Sequence, residues 1–201
     1  MINHIHSSFI HGENFRCGEN VIIEEDVVVG DDIKLGHNVT LKSGSRIMND
    51  VTLADYVKTT GVCIIGNGVI ARTGACISMS LIINDNTYIG PAIMTNHTKN
   101  VMYKRDLREV QLITRIGYGV VIGSMASLVA GLTIGDNVVI AAASNVYKDI
   151  LEAGIYGGNP VRKLKDIDPD FVLDKPRDYV YHEFAEELLR KYLPNWIGFE
   201  M

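Results

Sequence analysis

Residues 17–35 read CGENVIIEEDVVVGDDIKL, and the pattern that begins in this stretch continues as far as Thr95. An apolar residue, usually a branched aliphatic, returns at nearly every sixth position, with Thr at 59 and 95, and Gly, Asn or Asp often follows it. A second run starts at Ile116 in a register shifted by three. The first run occupies Cys17, Ile23, Val29, Leu35, Leu41, Ile47, Leu53, Thr59, Ile65, Ala71, Ile77, Ile83, Ile89 and Thr95, and the second occupies Ile116, Ile122, Leu128, Ile134, Ile140 and Val146.

A period of six is neither the spacing of an amphipathic helix nor the alternation of a half-buried strand. It fits a short strand followed by a tight turn, so that three such units close one coil of a triangular β-solenoid. Gly, Asn and Asp at the turns supply the corner geometry. Stacking one coil on the next pairs the backbone and buries the aliphatic ladder. The sequence therefore predicts an all-β, parallel solenoid.

Changes in the pattern predict three segments. Residues 1–16 keep the period poorly and are predicted to be an N-terminal cap, residues 17–165 form the solenoid, and residues 166–201 form a tail. Residues 96–115, NHTKNVMYKRDLREVQLITR, leave the period and predict one protruding, locally basic loop. The Gly-Gly-Asn-Pro run at 157–160 predicts the end of the coils. In the tail, apolar spacing predicts a short helix from about Tyr181 to Tyr192, with a packing stripe of Phe184, Leu188, Leu189 and Tyr192.

The composition excludes several classes of protein. The chain has 201 residues, enough for one sizeable domain, and a net charge of −5, which argues against a general nucleic-acid binder. It contains no apolar stretch of about 18 residues, and its first ten residues lack the basic flank and apolar core of a signal peptide. Cys17, Cys63 and Cys76 show no ligand spacing and are interpreted as small core residues. We therefore expect a cytoplasmic protein without membrane insertion.

The segments around the break carry a resemblance to a known family. Thr95-Asn96-His97 precedes a loop of about twenty residues, and Ile116-Gly117 and Val121-Ile122-Gly123-Ser124 follow it. This arrangement resembles the hexapeptide-repeat acyltransferases, in particular their maltose and galactoside O-acetyltransferase branch. The resemblance implies a left-handed parallel β-helix. It also implies acetyl-CoA as the co-substrate and no resident metal.

His97 is the candidate general base. It stands where the solenoid breaks, and an imidazole titrates near neutral pH, which suits proton transfer. From position alone, a histidine that caps the strand end through a hydrogen bond is an equal alternative. The resemblance implies instead that His97 deprotonates the acceptor hydroxyl. Donors near Asn96 and Ser124 would then stabilise the oxyanion.

The resemblance also implies a coenzyme A groove along the C-terminal coils. Ser124 matches a position beside the thioester or pantetheine arm. Ala142 lies eighteen residues later, so we expect it to stack directly above Ser124. Ordinary coil packing and a solvated basic face remain open as alternatives for these positions. The basic residues predicted near the phosphates and adenine are Lys148, Arg162, Lys163 and Lys165.

Four functions are compatible with these observations. The first is acetyl transfer from acetyl-CoA to a sugar hydroxyl with His97 as base, and the second is N-acylation of a nucleotide-linked amino sugar. The third is a zinc hydratase resembling the γ-type carbonic anhydrases, which needs three converging imidazoles. His37 lies 60 residues before His97, which is not a multiple of 18, so the two are not expected to share a face. The fourth is a non-enzymatic scaffold.

The expected partners are a small sugar or nucleotide-sugar acceptor and further copies of the chain. The resemblance implies a homotrimer, and flat prism faces can pack around a threefold axis. We expect three equivalent sites, each combining His97 of one chain with Ser124 and Ala142 from the same or the adjacent chain.

Overall fold

A computed structural model describes residues 2–98, 104, 111–182 and 186–192. The described residues form a left-handed parallel β-helix of about eight coils, as predicted. Its strands build three flat sheets, here called faces A, B and C, which enclose a triangular prism. The corners are called the AB, BC and CA edges, after the faces that they join in chain order.

Each face is a stack of short strands. Face A contains β1 (His4–Ile5), β4 (Ile22–Ile23), β7 (Thr40–Leu41), β10 (Lys58–Thr59), β13 (Cys76–Ile77), β16 (Met94–Thr95), β19 (Ser127–Leu128) and β22 (Asn145–Val146). Face B contains β2 (Ile10–His11), β5 (Val28–Val29), β8 (Arg46–Ile47), β11 (Ile64–Ile65), β14 (Leu81–Ile83), β17 (Thr114–Ile116) and β20 (Thr133–Ile134). Face C contains β3 (Arg16–Cys17), β6 (Lys34–Leu35), β9 (Thr52–Leu53), β12 (Ile70–Ala71), β15 (Tyr88–Ile89), β18 (Val121–Ile122), β21 (Val138–Ile140), β23 (Gly154–Gly157) and β24 (Arg162–Lys165).

The register explains the period of six. Apart from the pairs that span the loop, each strand from β1 to β19 pairs in parallel with the strand eighteen residues further on, as Ile23 does with Leu41 and Ile122 with Ile140. Every sixth residue therefore points into the prism, and these side chains form one continuous buried core. Burial of this aliphatic ladder is the main stabilising contribution to the fold.

The corners depend on residues that accept a left-handed backbone. Asn20, Asp32 and Asn38 have φ of 57°, 57° and 58°, and each is the third residue of its corner. Asn and Asp adopt this region more readily than other residues with a side chain. Their side chains also bond from coil to coil, as when Asn20 Nδ2 donates to Asn38 Oδ1 at 3.3 Å.

The solenoid begins earlier than the sequence pattern predicts. Residues 4–17 already form the first coil, because β1 pairs with β4 and β2 pairs with β5. His11 takes a position where later coils carry an aliphatic residue, and this hides the period. The rings of Phe9, His11 and Phe15 lie 5.1–5.5 Å apart, centroid to centroid, and cover this end of the prism. The predicted cap is therefore a small aromatic cluster on the first coil.

The described ends of the predicted loop lie at the AB edge. β16 ends at Thr95 and β17 begins at Thr114, after which the parallel register resumes. The base of the loop is closed by an antiparallel bridge between Thr98 and Gln111, and Leu112 N–H donates to the His97 carbonyl at 3.0 Å. Apart from residue 104, positions 99–110 lie outside the described residues.

The coils end where the Gly-Gly-Asn-Pro run predicts. β24 pairs with β23 in the antiparallel direction, so the chain reverses after Gly157. A short 3-10 helix, Pro169–Phe171, follows. The chain then runs along the BC edge, where Leu173 N–H donates to Asn137 Oδ1 at 2.9 Å and the His182 and Asp85 side chains lie 2.6 Å apart.

The tail helix, α1 (Glu186–Tyr192), is described over a shorter range than the predicted Tyr181–Tyr192. Its apolar stripe packs on the middle coils of the same chain. Leu189 is fully buried, and Leu188 and Tyr192 pack beside it; predicted stripe residue Phe184 lies outside the described residues. The side chains that receive this stripe are Met48, Val62, Ile64, Met79, Ile82 and Ile113.

Two cysteines are core residues, as predicted. Cys63 and Cys76 are buried, and burial raises the pKa of the Cys63 thiol to about 12. Cys17 is half-buried at the first coil. No helix in the described part of the chain has the length and apolar character that crossing a bilayer requires.

Candidate active site

His97 lies half-buried at the AB edge, two residues after the end of β16. The register places Met79 one coil below it and Ala130 one coil above. Its ring makes no hydrogen bond to any described residue, whereas its backbone carbonyl accepts from Leu112 N–H. The imidazole nitrogens are therefore not used by a described residue to cap the strand.

The surroundings of His97 include apolar groups that the sequence patterns did not single out. Leu112, at the returning end of the loop, lies so close to Gly131 that a Cβ on Gly131 would be 2.7 Å from Leu112 Cδ1. Gly131 has φ of +80°, a backbone conformation that is unfavourable for residues with a side chain. Counting eighteen residues back from His97 gives Met79 from the sequence. The Leu112 contact depends on the path of the loop and could not be found in this way.

Asn96 is exposed beside His97 and is held by the adjacent coil. Its backbone N–H donates to the Leu128 carbonyl at 3.1 Å, and Nδ2 approaches the same oxygen at 3.4 Å. A primary amide carries two N–H donors, so one remains available to an incoming oxyanion. The structure thus places an amide N–H donor beside His97.

Ser124 and Ala142 are stacked on successive coils, as predicted, but at the CA edge. Ala143 N–H donates to the Ser124 carbonyl at 2.8 Å, and the coils approach very closely here. A Cβ on Gly90 would lie 2.6 Å from Ser124 N, and one on Gly123 would lie 2.4 Å from Ala142 N. The result is a smooth wall of small residues that a narrow chain such as pantetheine could approach.

Within one chain, the structure does not bring His97 together with Ser124 and Ala142. The CA and AB edges lie on opposite sides of face A, and β19 runs between them. Their side chains therefore project from different corners of the same prism.

The four predicted basic residues divide between these edges and the last strand. Lys148 is exposed on the AB edge, two coils above His97. Arg162 lies opposite Gly157, near the CA edge, and Lys165 lies opposite Ile155. Arg162 therefore continues the line of Ser124 and Ala142.

Lys163 is less available for binding a phosphate than the other three basic residues. Its Nζ lies 2.7 Å from Asp166 Oδ1 and 3.8 Å from Glu152 Oε2. The hydrogen bond with Asp166 raises the pKa of the Lys163 ammonium above its ordinary value. Because two carboxylates already offset its charge, Lys163 would attract a phosphate more weakly than Arg162.

The geometry gives the zinc hypothesis no support. His37 lies on the CA edge and His97 on the AB edge. Among the described residues, no group of three or more His, Cys, Asp or Glu side chains is arranged to hold a metal ion.

The fold and its regular coils define a hexapeptide-repeat β-helix, and comparison with known proteins confirms the predicted resemblance to the acetyltransferases built on it. The chain is 32% identical over 108 residues to galactoside O-acetyltransferase of Escherichia coli (strain K12), covering 52% of this chain and 51% of that protein. It is 44% identical over 52 residues to chloramphenicol acetyltransferase of Morganella morganii, covering 26% and 25%. The chain thus spans about half the length of the first relative and a quarter of the second. No family model matches the sequence.

The solved structures support the same fold. An N-acyltransferase from Bacillus cereus, determined with dTDP and coenzyme A, matches with a TM-score of 0.53. The match covers 90% of this chain and 91% of that one, with 17% sequence identity. At this identity the likeness concerns the architecture alone.

Proposed function

We propose that the protein is a cytoplasmic acetyltransferase that moves the acetyl group of acetyl-CoA to a sugar hydroxyl, with His97 as general base. The observation that carries this proposal is the position of His97. Its half-buried ring, with no hydrogen bond to a described residue, stands at the one long interruption within the described coils. The names of the acetyltransferase relatives support the reaction class.

The reaction follows from these groups. The neutral His97 ring accepts the proton of the acceptor hydroxyl as its oxygen attacks the thioester carbonyl carbon. The carbonyl oxygen becomes an oxyanion, which the Asn96 amide can stabilise by donating a hydrogen bond. Collapse of the tetrahedral intermediate breaks the carbon–sulfur bond. The imidazolium then returns its proton to the departing sulfur, which leaves the acetyl ester and free coenzyme A.

The separation of the two edges supports a site shared between copies of the chain. The AB edge supplies His97, and the CA edge of an adjacent copy supplies the wall formed by Ser124 and Ala142. A cyclic trimer repeats this heterologous contact three times and closes. Of the two arrangements that the sequence left open, we therefore adopt the one in which the wall comes from the neighbouring chain.

A thiol-release assay tests the reaction class. Acetyl-CoA is offered with panels of hydroxyl and amino sugars, free and nucleotide-linked, and coenzyme A is measured. We expect His97→Ala to lower kcat by about 10²- to 10⁴-fold with an unchanged affinity for coenzyme A. His37→Ala is the matched control, because His37 is exposed on another edge, where its Nδ1 accepts from Glu19 N–H at 3.1 Å. Near-normal turnover by His97→Ala would contradict the proposed base.

N-acylation of a nucleotide-linked amino sugar is the second candidate. The loop supports it, because its sequence is basic within an acidic chain and could attract a diphosphate. An amine that is already deprotonated needs no base, so His97→Ala would then keep most of its activity. Binding of coenzyme A without turnover of any acceptor in the panel would count against both reactions on these sugars. Failure to bind coenzyme A in calorimetry would favour a scaffold.

A further inference from the structure

The coil beneath His97 departs from the hydrogen-bond pattern of the solenoid. In the regular pattern, the N–H that follows a face-A strand donates to the backbone carbonyl of the core residue one coil above. Thr60 N–H donates in this way to the Ile77 carbonyl at 3.0 Å. Ser78 N–H instead donates to the side-chain oxygen of Thr95, Oγ1, at 2.7 Å. The backbone carbonyl of Thr95 is therefore released from this bond.

The pairing of β13 with β16 shows the same irregularity. β13 and β16 are paired only at Cys76 and Met94, so the expected partnership of Ile77 with Thr95 is missing. One coil above, β16 pairs with β19 at both positions, and Thr95 faces Leu128. The ladder is therefore opened on one side of Thr95 only. This opening lies two residues before His97.

The Thr95 side chain is buried among groups that satisfy it. It is 4% exposed, and its Oγ1 also lies 3.0 Å from Ser78 Oγ and 3.1 Å from the Cys76 carbonyl. The single hydroxyl proton can go to either of these acceptors. A hydroxyl inside an aliphatic prism costs free energy unless it is bonded, and here both its acceptor and its donor roles are used. Most coils carry Ile, Leu or Val at this position.

We propose that Thr95 is a positioning residue for His97: its hydroxyl replaces the backbone carbonyl in the ladder and so sets the path of the turn that carries the imidazole. This proposal rests on the proposed role of His97 as base. The Thr95–Asn96 peptide leads directly into His97. Any change that returns the ladder bond to the Thr95 carbonyl moves this peptide toward Ser78, and the imidazole moves with it.

The chain contains a matched control two coils below. At Thr59, too, the side-chain oxygen takes the place of the backbone carbonyl. Lys42 N–H donates to Thr59 Oγ1 at 2.8 Å, and β10 pairs with β7 only at Lys58 and Thr40. Thr59→Val and Thr95→Val therefore remove the same kind of bond from the same face. Only Thr95 precedes the candidate base.

The test compares kinetics with a chemical probe of the ring. We expect Thr95→Val to lower kcat by about 10- to 100-fold, as for a slight misplacement of a catalytic group, with the KM for acetyl-CoA unchanged. We expect the kcat of Thr59→Val to equal that of wild type. We expect the same of Thr95→Ser, because serine retains the hydroxyl. Unchanged kcat in Thr95→Val, or an equal loss in Thr59→Val, would overturn the proposal.

A second measurement separates this proposal from the proposed function. The rate at which diethyl pyrocarbonate modifies His97, measured by peptide mass spectrometry relative to His37 in the same chain, should change severalfold in Thr95→Val and remain unchanged in Thr59→Val. This readout needs no substrate, so it still decides the matter if His97→Ala proves fully active. If Thr95→Val does not fold, Thr95→Cys, whose thiol is a weak acceptor, gives the same comparison.

Discussion

His97 and Lys148 lie on the same edge of the solenoid, two coils apart. Thr95 pairs with Leu128 and Leu128 pairs with Val146, so the residues that follow at the same offset, His97, Ala130 and Lys148, form one column. Adjacent strands are spaced by about 4.8 Å, which puts the two backbones about 10 Å apart. An extended lysine could reach a ligand held beside the imidazole.

Lys148 is therefore expected to contribute to binding the coenzyme and not to the chemical step. Lys148→Gln should raise the KM for acetyl-CoA about tenfold, the worth of one charge-assisted hydrogen bond, and leave kcat unchanged. The loss should shrink as salt is added, because screening weakens the attraction. Lys34→Gln, at an exposed lysine on face C, is the control and should behave as wild type. A fall in kcat alone would show that Lys148 acts on the reaction.

This column shows what the sequence could and could not provide. Fifty-one residues separate His97 from Lys148, which is 15 more than two coils of eighteen. The loop accounts for the difference, because 21 residues instead of 6 separate Thr95 from Ile116. Ser124 and Ala142 both lie after the loop, so counting eighteen residues from one to the other correctly predicts that they stack. The division of His97 and Ser124 between two edges is visible only in the folded chain, since the resemblance had grouped them by role.

The ends of the chain were harder to predict than the middle. His11 breaks the aliphatic ladder, so the first coil escaped the pattern although its backbone pairs like the others. The stripe of the tail helix was visible in the sequence, but its docking surface was not. Ile64 and Ile82 are neighbours on face B; both point away from the prism and are nevertheless fully buried. Two adjacent outward-facing isoleucines indicate a docking surface, but the strand register must be known before they can be identified as adjacent.

Docking of the tail helix should contribute measurably to stability. Leu189 is fully buried against Val62, Ile64 and their neighbours, so Leu189→Ala should lower the free energy of unfolding by about 2–5 kcal/mol in urea titrations. Lys191→Ala, on the same helix, removes an exposed ion pair with Asp26 and should cost about 0–1 kcal/mol. Equal small effects of the two substitutions would mean that the helix is not held on the coils in solution.

Close approach of coils at the CA edge should make Gly123 intolerant of a side chain. Gly123→Ala would put a Cβ 2.4 Å from Ala142 N, and the backbone must move to relieve this contact. We expect a destabilisation of about 1–3 kcal/mol, seen as a lower Tm, together with weaker coenzyme A binding in calorimetry. Gly74→Ala is the control: its Cβ meets nothing within 4 Å, and its φ of +72° predicts backbone strain of about 1–2 kcal/mol without loss of binding. Unchanged coenzyme binding in Gly123→Ala would argue against a groove at this edge.

Acid should loosen the tail where it crosses the BC edge. Burial disfavours the charged form of Asp136, but hydrogen bonds from Lys175 Nζ, Tyr181 OH and Tyr118 N–H outweigh this and lower the pKa of its carboxyl. The folded-state pKa is thus below the unfolded value of about 3.9, so the stabilisation is fully present above that pH and is lost as the pH falls through the folded pKa.

The urea midpoint of wild type should therefore fall between about pH 5 and pH 2, and Asp136→Asn should remove part of this dependence while lowering stability at neutral pH. Asp50→Asn, at an exposed corner carboxylate with no described side-chain partner, is the matched control and should retain the wild-type pH profile. Parallel profiles for Asp136→Asn and wild type would show that the contact between Asp136 and Lys175 does not fasten the tail. In that case the neighbouring pair of His182 and Asp85 would be the next contact to vary, because their side chains lie 2.6 Å apart on the same edge.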